Sequence, residues 1–146
     1  MPVEKININH FLTISPELPI IDVRSPGEFS HAHLPGAFHV PLFTDEQRAI
    51  IGTAYKKQDR QTAVNLGLSF FSDRMKVIPK EIETIIANQS QNDISSPYSL
   101  SANKRPGILV YCWRGGMRSG AVGWLMSLYG DKIYLINGGY KSFRRW

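Results

Sequence analysis

The 146-residue sequence predicts an α/β fold, a single domain with a central parallel sheet covered by helices on both faces. Three observations carry this reading. Four apolar runs, at residues 19–23, 37–40, 108–111 and 133–136, are strand-sized and bounded by turn residues. Helical patterns lie between them, and strands separated by helical crossovers run parallel. The third observation is the position of the sole cysteine, Cys112, directly after the run 108–111, where open parallel sheets place their ligands.

The elements follow in order. The run 19–23 leads through Asp22-Val23-Arg24 to Ser25, an N-cap, with Pro26 at the first helical position and Glu28 in the first turn. Leu34-Pro35-Gly36 stops that helix, and the strand at 37–40 is closed by Pro41. Thr44 and Gln47 form a capping box, and Ala49, Ile50, Ala54 and Tyr55 supply the apolar stripe of the next helix. Residues 61–71 and 79–87 read as further helices. Residues 88–105 are polar, with scattered Ser, Asn and Pro, and read as a mobile connection, so 44–105 as a whole is a helical insertion plus a linker. After the strand at 108–111 comes a helix over 120–129, with Trp124, Leu125 and Leu128 expected in the core. The strand at 133–136, the Gly138-Gly139 turn and a final segment complete the chain. Residues 141–146 run in a helical pattern without a stop signal, so a further domain is expected beyond them.

Composition narrows the function classes. One cysteine allows no intramolecular disulfide, and no apolar run approaches a membrane span, so a cytoplasmic protein without a membrane partner is expected. His10, His31, His33 and His39 have no Cys or His partners at zinc-site spacing, and no metal is expected. No Walker-type phosphate loop occurs, so no resident cofactor is expected in this domain. The net charge of +5 is unevenly distributed. Residues 1–103 hold nine Lys and Arg against eleven Asp and Glu, and residues 104–146 hold eight against one, Asp131. Such a basic end is either a solvated face or a surface for phosphates, of a small anion or of nucleic acid.

The chemistry concentrates in Cys112-Trp113-Arg114-Gly115-Gly116-Met117-Arg118-Ser119. A strand end, two glycines and a following helix make a tight turn whose backbone N–H groups converge as an anion nest, aided by the helix dipole. Arg114 and Arg118 add full charges. A thiol in that field is expected to ionise readily and to act as a nucleophile, with residues 113–119 holding the anion and Arg118 neutralising it. Trp113 can be core, or it can stack on a base or cover the anion. Asp22, Arg24 and Glu28 read as a structural ion pair and helix start, and His33 and His39 as hydrogen-bonded scaffold.

With these elements placed, the chain resembles the rhodanese family. The resemblance rests on Ile20-Ile21-Asp22-Val23-Arg24-Ser25-Pro26-Gly27-Glu28-Phe29, on His31-Ala32-His33-Leu34-Pro35-Gly36-Ala37-Phe38-His39-Val40-Pro41, on the loop from Val110 to Ser119 and on Asn137-Gly138-Gly139-Tyr140. More narrowly, Tyr111-Cys112-Trp113-Arg114-Gly115-Gly116-Met117-Arg118-Ser119, the turn Gly138-Gly139-Tyr140-Lys141 and the segment from Glu46 to Lys56 are similar to the N-terminal domain of the bacterial tRNA 2-selenouridine synthase family. That resemblance implies a transferase that replaces the sulfur of wobble 2-thiouridine in tRNA with selenium from selenophosphate, through an S-geranylated intermediate. Cys112 would carry the chalcogen as a persulfide-type adduct, and a P-loop domain would follow. One spacing keeps other readings open. Rhodanese loops usually place the arginine five positions after the cysteine, whereas here Arg118 stands six after Cys112. Cys-x5-Arg-Ser is also the spacing of protein tyrosine phosphatases, so a general sulfurtransferase, a phosphatase or an arsenate reductase remains an alternative, as does a docking module without activity. A phosphatase of this kind needs a carboxylic acid to protonate the leaving oxygen. The loop holds none, and Asp131 is the only acid after it.

Overall fold

The computed structural model describes residues 3–92, 107–114 and 116–145. In chain order these form β1 (Val3–Ile6), α1 (Ile8–Ile14), a 3-10 turn (Ser15–Glu17), β2 (Ile20–Asp22), α2 (Pro26–His31), β3 (Phe38–His39), α3 (Asp45–Lys57), α4 (Arg60–Arg74), α5 (Ile78–Asn92), β4 (Ile108–Tyr111), α6 (Met117–Ser127), β5 (Ile133–Ile136) and α7 (Gly139–Arg145). The strands make one parallel sheet in the order β1-β5-β4-β2-β3, with Ile20 beside Leu109, Asp22 beside Tyr111 and Val110 beside Leu135. From β2 the chain moves outward to β3, and from β4 it moves the other way to β5. The order therefore reverses between β2 and β4, and the crevice at their carboxyl ends is the place where such a sheet takes a ligand.

Side chains alternate across the sheet and fill two cores. Ile108, Val110 and Cys112 face the side covered by α5 and α6, with Ile78, Ile82, Ile86, Val122 and Met126. Leu109 and Tyr111 face the other side, with Phe11, Leu34 and Tyr140 from α1, the α2–β3 turn and α7. The same period of two that builds the core thus turns the Cys112 side chain toward the face of the helical insertion.

Local signals formed as expected where they depend on neighbours in sequence. Ser25 and Glu28 make a capping box at α2, and Thr44 and Gln47 make one at α3. Other expectations are corrected. β1 and α1 were not anticipated, because β1 is an edge strand exposed along Val3, Glu4 and Lys5 and shows no apolar run. Helix α6 starts at Met117, three residues before the expected 120, so Met117, Arg118 and Ser119 belong to its first turn. Trp124 and Leu128 are 47% and 49% exposed, and only Leu125 of that trio is buried, because α6 shows one side to the sheet and the other to solvent. The stripe on α3 also fails. Ala54 is buried, but Ala49, Ile50 and Tyr55 are exposed, since α3 packs on α4 rather than flat against the sheet. Helix α5 runs to Asn92, through the first residues of the expected connection, and residues 93–105 of that connection lie outside the described residues. Among the described residues no helix is long and apolar enough to cross a membrane.

Candidate active site

Strand β4 delivers Cys112 to the crevice, and helix α6 begins five residues later at Met117, with Gly116 as its N-cap. Cys112 is 3% exposed, and its Sγ lies 3.2 Å from the hydroxyl oxygen of Ser119. In the thiol form the sulfur donates to that oxygen. The Ser119 hydroxyl is 3.3 Å from the Gly116 carbonyl and can turn its proton to a thiolate instead. The Cys112 carbonyl accepts from the Tyr140 N–H at 2.8 Å and the Trp113 carbonyl from the Lys141 N–H at 2.9 Å, so the start of α7 fastens the loop from outside. Gly138, at φ +82°, makes the turn that brings α7 there.

The predicted loop residues are distributed as follows. Trp113 packs on Tyr140, with ring centroids 6.0 Å apart, and the Arg144 guanidinium lies 5.8 Å from its ring, which makes it a half-buried bridge between loop and α7. Arg114 and Met117 are exposed, Gly116 opens the helix, and Ser119 is buried against the thiol. Gly115 lies outside the described residues. Arg118 holds a partner the sequence did not suggest. Its Nη1 donates to Glu28 Oε1 at 2.7 Å and its Nη2 lies 3.3 Å from Oε2, across 90 positions of chain.

Behind this loop stands a buried scaffold. Arg24 forks onto Asp22, with Nη2 2.8 Å from Oδ2, and also donates to the Ala32 carbonyl at 2.7 Å. Burial pushes the Tyr111 hydroxyl well above its ordinary value, and the Asp22 charge adds to that. Tyr111 therefore stays neutral and accepts from the Leu34 N–H at 3.1 Å. His39 and His33 contact the Arg24 and Phe29 carbonyls at 2.8 Å each, and both rings stack on Phe29, which is the scaffold role expected of them. For Glu28, burial alone would raise the carboxyl, but hydrogen bonding and charge from Arg118, then Ser25 and Arg48, outweigh it and hold the group at about 2.

A cavity of about 500 Å³ opens onto the sulfur. Sequence reasoning missed it, because most of its wall comes from the insertion, with Ile51 of α3 and Val64, Leu68 and Phe71 of α4, beside Leu42 and Phe43 just before it. Arg48, Lys56, Arg60, Arg114 and Arg118 are the cations in the same wall. The site therefore offers a thiol at a helix N-terminus, cations for an anion, and an apolar chamber beside both. Among the described residues no three His, Cys, Asp or Glu side chains gather as metal ligands would.

Comparison with known proteins places this geometry. The rhodanese-like domain family matches residues 11–145. A tRNA 2-selenouridine synthase of Nitrosomonas europaea is 35% identical over 89% of this chain, and one of Shewanella piezotolerans is 31% identical over all of it. The chain spans only 30% and 36% of those two relatives. Among solved structures, the N-terminal domain of a Clostridium difficile 630 protein described as ATP/GTP binding is 31% identical, with a TM-score of 0.75 and 97% of each chain covered. The human single-domain sulfurtransferase TSTD1, at 14% identity and a TM-score of 0.54, shares the fold.

Proposed function

The chain belongs to the rhodanese-like domain family, and from that premise we propose that it is the chalcogen-transfer domain of a tRNA 2-selenouridine synthase. The observation that carries the proposal is the cavity at Cys112, cationic at Arg118 and apolar along α3 and α4. The cations suit selenophosphate, a tetrahedral oxyanion, as donor. A small anion alone has no use for the apolar wall, whereas the geranylated intermediate implied by resemblance would fill it. The Cys112 thiolate first takes the outer sulfur of a sulfane donor such as thiosulfate, the S–S bond breaking with its electron pair leaving on sulfite; the selenium of selenophosphate then displaces that outer sulfur as hydrosulfide, and hydrolysis of the Se–P bond to phosphate leaves selenium on Cys112 as a persulfide-type adduct. Wobble 2-thiouridine is the acceptor, and a nucleotide-binding domain completes the enzyme. The Clostridium difficile relative, described as ATP/GTP binding, is consistent with that second domain.

A general rhodanese reading shares the cysteine and the adduct and differs in the donor. The phosphatase reading is less favoured. Glu28 is tied to Arg118 as a carboxylate held at about 2, and Asp131 is fully buried, so neither is an available acid. Intact mass of the protein after exposure to thiosulfate, alone or followed by selenophosphate, decides between donors. A mass gain of one selenium at Cys112, absent in Cys112→Ser, is expected. A gain only with thiosulfate would leave the sulfurtransferase reading, and no gain with either would remove chalcogen transfer from this domain.

A further inference from the structure

Glu28 is 12% exposed, and its carboxylate joins three elements. Oε1 accepts from Arg118 of α6 at 2.7 Å and lies 3.1 Å from Arg48 Nε of α3, while the Ser25 N–H and hydroxyl approach it at 3.2 and 3.0 Å. Arg118 and Arg48 both line the cavity at Cys112, and Glu28 does not. The carboxylate therefore stands behind the two guanidinium groups rather than between them and the sulfur. Arg118 spends two of its five N–H donors on Glu28, and Arg48 forms an ion pair with it, which leaves donors of both guanidinium groups for a ligand.

We propose that Glu28 is a positioning residue that fixes Arg118 and Arg48 at the cavity wall, so that anion recognition beside Cys112 depends on a carboxylate that does not touch the anion. The inference rests on the reading of Arg118 as the group that meets the donor's charge. Free arginines carry large rotamer entropy, and a bidentate partner removes that cost before the ligand arrives. Charge alone predicts the opposite effect. Deleting an anion near the site would make the cavity more positive and favour anionic reagents.

The opposed signs allow a direct test on this chain. Cys112 is its only cysteine, so alkylation reports one site. The measurement is the ratio of the alkylation rate by iodoacetate, an anion, to that by iodoacetamide, a neutral analogue of nearly the same size. Changes in thiol ionisation affect both rates and cancel, whereas partial unfolding shifts the ratio toward that of the chain in denaturant, so the rates are compared at matched folded fraction. Glu28→Ala and Arg118→Ala are each expected to lower the ratio by on the order of fivefold, and Glu28→Gln, which keeps one acceptor oxygen, by less. A ratio unchanged or raised in Glu28→Ala, with Arg118→Ala lowering it, overturns the positioning role and leaves Arg118 as the anion's partner. A ratio unchanged in Arg118→Ala overturns both. If Glu28→Ala does not fold, the near-isosteric Glu28→Gln decides by the same sign.

Discussion

At the residue scale, Arg118 and Glu28 divide what a charge does from what a shape does. Arg118→Lys keeps the charge and loses the planar fork that two oxygens of Glu28 accept. Affinity for phosphate or sulfate, titrated against both proteins, is expected to fall on the order of tenfold, and equal affinities would place Arg118 outside anion binding. Glu28 also predicts an acid response. Its carboxyl is held at about 2 against an ordinary 4.5, so the folded state gains from its ionisation above pH 4.5 and loses that gain as pH falls through 2. The gain is at most about 3 kcal/mol. In thermal melts, wild type is expected to exceed Glu28→Gln near neutral pH and to converge on it as pH approaches 2. A gap that does not change with pH would show that the contact is not ionic. Cys112 and its arginines were legible in the sequence because the chemistry is written in adjacent letters. Glu28 was legible only as a helix start, since its partner is 90 positions away.

At the element scale, α6 approaches β5 closely at one glycine and not at another. A Cβ on Gly123 would meet Ile133 Cγ2 and Leu135 Cδ2, both at 3.1 Å, whereas one on Gly120 meets nothing within 4 Å. Gly123→Ala is expected to destabilise by about 1–3 kcal/mol as α6 is pushed off the sheet. Gly120→Ala is expected to be neutral or to stabilise by about 0.5–1 kcal/mol, from helix propensity alone. Denaturant unfolding of the two variants checks this, and equal midpoints would mean that α6 is free to shift. Strands β4 and β5 and the caps of α2 and α3 were readable from local pattern. The packing of α3 was not, because its apolar residues are shared between α4, a cavity wall and solvent, and periodicity cannot say which.

At the scale of the whole molecule, the reversal of strand order between β2 and β4 gathers the capping box of α2, the Cys112 loop and α7 at one end of the sheet. Arg114, Arg118, Lys141, Arg144 and Arg145 of the basic carboxyl-terminal third lie there. Arg144 lies against Trp113, and Lys141 is lowered from its ordinary value by Arg145 and then Arg114, a sign of like charges held together. If tRNA approaches along this face, its affinity is expected to fall steeply with salt, and Arg144→Ala combined with Arg145→Ala should weaken binding and flatten that dependence by about two phosphate contacts. Binding assays at two salt concentrations test this. A double variant that binds as wild type does would leave these arginines as a solvated face.

The two hydrogen bonds from α7 to the carbonyls of Cys112 and Trp113 have a spectroscopic consequence. The loop cannot open without releasing the amides of Tyr140 and Lys141, because their acceptors belong to it. Deuterium uptake at those two amides, some 28 positions from the cysteine in sequence, therefore clocks the opening of the loop itself. A reagent that seats on the sulfur and quiets the loop would be seen first as slowed exchange in the last helix.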